Sequence, residues 1–274
     1  MIYLEAVLLG IVQGLTEFLP VSSSAHLILA RLFFGWDAGQ LGLAFDVACH
    51  VGTLAAVVAY FRSDLLDLAK AAPGLLRAPA WPAVGPGRRL RLFAVGTIPV
   101  VIIGLVFAGR IEDALRTPWV AVVSLAVVAI LFLVVERVGC GTRGEESLSA
   151  PAAFAIGVAQ AAALVPGVSR SGATITAGMF AGLRRDAAAR FSFVLGVPAI
   201  LAAALHEGLH LARAGMAADE AAIFLVGMGV SGVVGYAAIR YLLRYLAGHS
   251  LAVFAWYRLA LAAATTLWLV SGRG

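Results

Sequence analysis

Long apolar stretches alternate with short polar ones along the whole chain, and six of the apolar stretches predict membrane-spanning helices. A helix needs about 20 mostly apolar residues to cross a bilayer. The predicted spans are 41–61, 92–109, 118–135, 191–206, 221–241 and 251–271. The longest polar stretch between them, 62–91, is rich in Arg and Pro, which predicts an exposed loop.

Two further apolar stretches are each interrupted by a helix break. Residues 2–34 are broken at Pro20, and residues 151–183 are broken at Pro166 and Gly167. The apolar pieces that follow the breaks are too short to span the bilayer. Because a broken helix at membrane depth is tolerated where it lines a cavity, the pattern predicts two re-entrant helical hairpins.

The two halves of the chain repeat each other at a constant spacing of 147 positions. The matching pairs are Gly10 with Gly157, Gln13 with Gln160, Ser22 with Ser169, Ser24 with Ser171 and Phe33 with Phe180. The first half, 1–136, and the second half, 151–271, each hold one broken hairpin and three spans. Because three is odd, the halves should have opposite orientations, with a site where they meet. The sequence therefore predicts a single all-α polytopic membrane domain built as an inverted-topology repeat.

Composition and charge agree with this class of protein. Of the 274 residues, 62% are hydrophobic and only 13% are charged, which excludes a soluble domain. The net charge of +5 then reports loop orientation and contact with lipid headgroups, so we expect membrane lipids as partners and no nucleic acid. The positive-inside rule places 62–91, 136–150, 183–190 and 240–250 in the cytoplasm and 207–220 outside.

The first break gathers polar groups in apolar sequence, within the stretch QGLTEFLPVSSSAH. Ionisable groups such as Glu17 and His26 are costly in a membrane span and are usually functional. A serine here can also simply cap the next helix. In a helix Ser22 and Ser23 can share a face with His26, whereas Ser24 cannot. The residues leave Ser22 and Ser23 open as candidate nucleophiles, with His26 as the acid or base.

The second break adds a cation, in the stretch PGVSRSGATITAG. Arg170 needs an anionic partner in apolar surroundings, and its planar fork suits a phosphate. Ser169, Thr174 and the helix N-terminus after the break would bind the same anion. An inert ion pair between Arg170 and Glu17 is the alternative. Together the two hairpins predict phosphoryl transfer on a phosphorylated lipid.

These stretches resemble the two signature motifs of the undecaprenyl pyrophosphate phosphatases, the bacitracin-resistance family. The resemblance implies an enzyme of the bacterial cell membrane that hydrolyses undecaprenyl diphosphate to undecaprenyl phosphate and phosphate. This reaction recycles the carrier lipid for cell-wall synthesis, and the active site would open to the outer face. The implied catalytic residues are Glu17, Ser23, His26 and Arg170. The predicted phosphate-binding residues around them are Gln13, Ser22, Ser24, Ser169, Ser171 and Thr174.

The resemblance also implies a divalent cation, Mg²⁺ or Ca²⁺, with Glu17 as the predicted ligand. Gln13 occupies a position where the family pattern also allows Glu, which leaves one carboxylate on this helix. Asp46 and His50 lie four residues apart and are predicted, with Gln160, to support the catalytic residues from behind. A solvated helix end is the alternative reading of Asp46 and His50. The expected partner is a polyprenyl diphosphate lipid, and a homodimer is allowed.

Two other functions compete with hydrolysis of the lipid. The first is a transporter or flippase for a phosphorylated polyprenyl lipid, because inverted repeats are typical of transporters. The second is the membrane phosphatase class with a Lys-x6-Arg-Pro motif. Lys70 and Arg77 have its spacing, but Ala78 follows and no matching SRxxxxxHxxxD occurs. Whether a phosphoserine forms or water attacks directly stays open at this stage.

Overall fold

The computed structural model describes residues 1–36, 41–77, 82, 84–139, 141–214 and 218–272. Within these ranges the chain forms α-helices and one short 3-10 turn, and it contains no strand. The helices are α1 (Ile2–Phe18), α2 (Ser23–Phe34), α3 (Leu43–Tyr60), α4 (Arg62–Arg77), α5 (Pro86–Leu115), α6 (Pro118–Val138), α7 (Ala150–Ala162), α8 (Arg170–Phe180), α9 (Arg185–Ala214), α10 (Ala218–Leu246) and α11 (Ala252–Val270). The all-α prediction is confirmed.

Six of these helices are long and apolar enough to cross a membrane, as the hydropathy pattern predicts. The candidate spans are Leu43–Tyr60, Pro86–Phe107, Pro118–Val138, Arg185–His206, Asp219–Leu246 and Ala252–Val270. In the 18-residue apolar part of Pro86–Phe107, and likewise of Ala252–Val270, only 28% is buried inside the protein. The remaining apolar surface of these two helices is therefore suited to contact with lipid.

The basic stretch 62–91 is not the loop that we expected. Its first part forms α4, because Leu68 is buried against the core while Lys70 on the other face is exposed. Its last part is the first turn of α5, which Pro86 can open because the first turn needs no N–H donor there. Residues 78–81 and 83 of the stretch lie outside the described part of the chain.

The two helix breaks have the same local geometry. Ser22 caps α2 by accepting a hydrogen bond from the Ala25 N–H at 3.4 Å, and Ser169 caps α8 by accepting from the Gly172 N–H at 3.1 Å. Ser22 has a φ of 77° and Ser169 a φ of 72°, and they are the described non-glycine residues with positive φ. Such backbone is strained for a serine and concentrates at functional sites. The caps are separated by the 147 positions of the sequence repeat, and the inversion of the halves stays a prediction.

Close helix packing places the first break against the rest of the bundle. At Gly52 of α3 an added Cβ would overlap the Met228 carbonyl of α10, so only glycine allows this approach. Phe18, the last residue of α1, is fully buried and packs edge-to-face on Phe193 of α9, with ring centroids 5.3 Å apart. These contacts fix the end of α1, where the neighbouring residue is Glu17.

Candidate active site

A cavity of about 220 Å³ lies where the two helix breaks meet α3, α5, α7 and α9. Its polar lining consists of Glu17, Ser22, Ser23, Ser24, His50, Gln160, Ser169 and Arg170. The rest of the wall is apolar and includes Val47, Val100 and Ile200. The structure thus joins the two sequence motifs in one polar chamber with apolar sides, which suits a phosphorylated lipid headgroup.

Glu17 is the centre of the polar network. Its carboxylate is buried, with 6% of the residue exposed, in the last turn of α1. Its Oε2 accepts hydrogen bonds from the Ser23 hydroxyl at 2.8 Å and from the Gln13 amide at 3.1 Å. Its Oε1 accepts from the Arg170 guanidinium at 2.9 Å. One carboxylate therefore links a hydroxyl of the first break to the cation of the second.

His50 of α3 also contacts Glu17. The His50 Nδ1 lies 2.7 Å from the Asp46 backbone carbonyl, which can only accept, so Nδ1 carries a proton. The His50 Nε2 lies 3.3 Å from the Glu17 Oε2, and the two side chains form an ion pair when the ring carries a second proton. Glu17 therefore contacts both the Arg170 guanidinium and the His50 ring.

Arg170 is the first residue of α8 and is held on several sides. Its guanidinium donates to the Ser192 carbonyl at 3.3 Å as well as to Glu17. At Gly196 of α9 an added Cβ would overlap the guanidinium, so this glycine provides its space. The Thr174 hydroxyl donates to the Arg170 carbonyl at 2.7 Å and is hydrogen-bonded to the Ser192 hydroxyl. The guanidinium is thereby aimed at the cavity.

The predicted phosphate-binding residues separate into two groups. Ser22, Ser24 and Ser169 line the cavity, whereas the described lining does not include Gln13, Ser171 or Thr174. Each of these three is buried and bonded to protein: Gln13 to Glu17, Ser171 to the Leu19 carbonyl at 3.5 Å, and Thr174 to the Arg170 carbonyl. They support the cavity wall from behind.

His26 makes different contacts from those that the helical spacing suggests. Its Nδ1 lies 2.7 Å from the Ser22 carbonyl, and its Nε2 lies 2.7 Å from the Tyr257 hydroxyl of α11. Its ring also stacks on Tyr257, with an interplanar angle of 7°. Both nitrogens are thus engaged away from Ser23, and Glu17 is the group that contacts the Ser23 hydroxyl. Tyr257 had no signal in the sequence reasoning.

Asp46 supports the site through its backbone. Its carboxylate pairs with Arg31 of α2 and accepts from Arg116 at 2.6 Å, while its carbonyl holds His50. Asp46 therefore links α2 to α3 and fixes the orientation of the His50 ring. No hydrogen bond between Asp46 and Glu17 is present in the described part of the chain.

Arg258 of α11 is a further residue that the sequence reasoning missed. It is fully buried, and it donates to the carbonyls of Pro20 at 3.2 Å, Gly167 at 2.8 Å and Val168 at 3.3 Å. It also donates to the Leu125 and Ser124 carbonyls of α6, at 3.2 and 3.3 Å. One guanidinium thus holds both breaks together. A signal existed, since an arginine inside an apolar span is usually functional.

The residues around Glu17 do not fit a divalent cation held by the protein. Within the described chain, no group of three His, Cys, Asp or Glu side chains is placed to hold a metal ion. Both Glu17 oxygens already accept from Ser23, Gln13 or Arg170, and the Arg170 guanidinium would repel a cation. We assign no step to a metal ion.

Comparison with known proteins adds to this geometry. The model of the family described as Bacitracin resistance protein BacA matches residues 6–264. A relative from Rubrobacter xylanophilus, named Undecaprenyl-diphosphatase, is 51% identical over 260 residues, covering 95% of this chain and 96% of the relative. A relative of the same name from Idiomarina loihiensis is 44% identical, and the match covers 95% of this chain and 96% of the relative. Another, from Hahella chejuensis, is 42% identical, and the match covers 98% of this chain and 99% of the relative.

Proposed function

The chain belongs to the bacitracin resistance protein family, and on that premise we propose that it is an undecaprenyl-diphosphatase. It is a multi-pass membrane enzyme that hydrolyses undecaprenyl diphosphate to undecaprenyl phosphate and phosphate, and so recycles the carrier lipid. The observation that carries this function is the Glu17 carboxylate, which contacts the Ser23 hydroxyl and the Arg170 guanidinium in one cavity. Nucleophile, proton acceptor and anion clamp are the parts that phosphoryl transfer requires.

Ser23 is the nucleophile in the mechanism that we propose. Its hydroxyl donates to Glu17 at 2.8 Å, so Glu17 is placed to take the proton as the Ser23 oxygen attacks the terminal phosphorus. The bond between the terminal phosphorus and the bridging oxygen breaks, and undecaprenyl phosphate leaves. His50 beside Glu17 stabilises the carboxylate and fixes its orientation. The base next to Ser23 is therefore Glu17, and His26 positions the first turn of α2 through the Ser22 carbonyl.

Arg170 binds the phosphate and stabilises the charge that develops on it. The ion pair with Glu17 that the inert alternative predicts is present, and in this proposal it is the arrangement without substrate. The dianionic terminal phosphate offers the guanidinium a stronger bidentate partner than one carboxylate oxygen does. As Arg170 turns to the phosphate, Glu17 loses a cationic neighbour and becomes a better base. The first-turn N–H groups of α8 favour the same anion.

The cavity opens to the outer face of the bacterial cell membrane in this proposal. Three segments that the charge pattern assigns to the cytoplasm meet at one end of the protein. There Arg89 pairs with Asp64 at 2.9 Å and with Glu145 at 3.0 Å, and Arg190 pairs with Asp64 at 3.2 Å. These ion pairs support the assignment of the three segments to the same side of the membrane. A cysteine introduced at position 85 should not react with a membrane-impermeant thiol reagent in intact cells. Rapid labelling at this position would contradict the proposed orientation.

The two broken hairpins are proposed as re-entrant elements related by an inverted repeat. The supporting observation is that the positive-φ serine caps recur at the repeat spacing, each bonded to the N–H three residues further on. A homodimer stays a prediction.

Phosphate release by the purified protein tests the function. Detergent-solubilised protein with undecaprenyl diphosphate should release inorganic phosphate, measured with and without a chelator. Arg170→Ala should insert and purify normally but release none. A transporter without chemistry would release no phosphate in either form, and this result would overturn the proposal.

A further inference from the structure

Gln160 has an unsatisfied amide on the wall of the cavity. It lies in the last turn of α7, is only 2% exposed, and belongs to the lining of the chamber. Neither its Nε2 nor its Oε1 has a hydrogen-bond partner within the described chain. Buried polar atoms nearly always have a partner, and leaving one unpaired is costly. A donor and an acceptor held free at a cavity wall point to a ligand.

The repeat explains why this amide is free. Gln13, the residue at the matching position of the first half, donates its amide hydrogen to Glu17 four residues later. The residue four positions after Gln160 is Leu164, which has no acceptor on its side chain. The second glutamine therefore occupies the same place on its helix without an internal partner. It is the glutamine that lines the cavity, whereas Gln13 lies behind the described lining.

We propose that Gln160 holds the water molecule that hydrolyses the phosphorylated intermediate. A fully ionised diphosphate offers only acceptors, so it can satisfy the amide Nε2 but not the Oε1. A water molecule supplies the missing hydrogen. The Oε1 then accepts from the water while the Nε2 donates to a phosphoryl oxygen, which aligns the water with the phosphorus. This inference rests on the proposed phosphatase activity and names the residue that directs its second half.

The step balances with the residues present. The water oxygen forms a bond to the phosphorus carried on Ser23, and the bond between that phosphorus and the Ser23 oxygen breaks. Glu17 keeps the proton that it took from Ser23 in the first step and returns it to the Ser23 oxygen, which lies 2.8 Å away, as that bond breaks. The attacking water passes one of its hydrogens to a phosphoryl oxygen. Inorganic phosphate therefore leaves with both hydrogens of the water.

The variant Gln160→Leu separates this role from a structural one. Since the native amide lacks a protein partner, replacing it by an apolar side chain of similar size should keep or raise the thermal unfolding temperature. The turnover number should fall on the order of 10²-fold, the loss expected when a reactant is misaligned. The KM should fall by a similar factor, because slowing only the second step leaves kcat/KM, which reports the first step, unchanged. Rapid quenching should show prompt release of undecaprenyl phosphate and slow release of inorganic phosphate.

Thr265→Val is the matched control. Thr265 is also fully buried with an unpartnered side-chain oxygen, but it lies on α11 and does not belong to the described cavity lining. This variant should keep wild-type kinetics. A Gln160→Leu enzyme with wild-type turnover, or one that loses turnover together with thermal stability, would overturn the inference. If the wild-type protein itself releases no phosphate in the same assay, the proposed function fails instead.

Discussion

Replacing Arg258 by Met should disable the enzyme although Arg258 does not line the cavity. The variant keeps an apolar stem of similar length but removes all the donors. The Leu125 and Ser124 carbonyls lie within α6, where the helix supplies them with other donors. The carbonyls of Pro20, Gly167 and Val168 lie in the helix breaks, where no helical ladder replaces Arg258.

The size of the effect follows from those three carbonyls. Leaving a buried acceptor without its donor costs about 1–3 kcal/mol, so three of them cost roughly 3–9 kcal/mol. This range is comparable with the whole stability of many domains, about 5–15 kcal/mol. The breaks also carry Ser23 and Arg170, and a displacement of about 1 Å between reacting groups lowers turnover on the order of 10²-fold. Both thermal stability and turnover should therefore fall.

The assay combines thermal unfolding in detergent with the rate of phosphate release. Arg258→Lys should have intermediate stability and turnover. The lysine ammonium keeps the charge but lacks the planar fork with which the guanidinium reaches five carbonyls. Arg240→Met, which changes an exposed arginine of α10, is the matched control and should behave as wild type. Wild-type stability and turnover in Arg258→Met would refute the view that this guanidinium holds the two breaks together.

Three further predictions concern the cavity itself. Ser23→Ala should lose several orders of magnitude in turnover with substrate binding largely kept, while Ser24→Ala should be mild; near-normal turnover in Ser23→Ala would favour direct attack by water. His50→Gln should lower turnover more than His26→Gln, because His50 contacts Glu17 at 3.3 Å whereas His26 is hydrogen-bonded to Tyr257. A larger loss of turnover in His26→Gln would favour His26 as the base. Arg170→Lys should release phosphate poorly, since a point charge replaces a fork, and full activity would remove the clamp.

Features that depend on nearby sequence could be predicted well. The six spans follow from the length of the apolar stretches, and α1 ends at Phe18, just before Pro20. The serine caps follow from the residue type that helix N-termini favour. The stretch 62–91 was misread because its charge and prolines hid the apolar face of α4, on which Leu68 packs.

Features that depend on distant partners could not be predicted. The spacing of three residues placed His26 on the face of Ser23, but Tyr257, which lies 231 positions further on, engages the His26 ring. His50 reaches Glu17 because α1 and α3 pack on α10 and on each other, contacts between residues that are far apart in the sequence. Arg258 was visible as a charge inside an apolar span, but the backbone carbonyls that it binds appear only in the folded chain.

The two halves of the chain build the same break but contribute opposite charges, and the site depends on that difference. At the repeat spacing, the position of Glu17 is taken by Leu164 and that of Ser23 by Arg170. A symmetric site would place two carboxylates in a cavity of about 220 Å³. Two like charges repel strongly at low dielectric, and they would also disfavour an anionic substrate.

The variant Leu164→Glu should recreate this situation. The new carboxylate would bind the Gln160 amide and compete with the phosphate for Arg170, so we expect KM to rise at least about tenfold, the effect of roughly 1.4 kcal/mol. Leu164→Gln, with the same size and no charge, should have a clearly smaller effect on KM. Equal KM values for the two variants would show that opposite charges in the two halves are not what admits the anionic lipid.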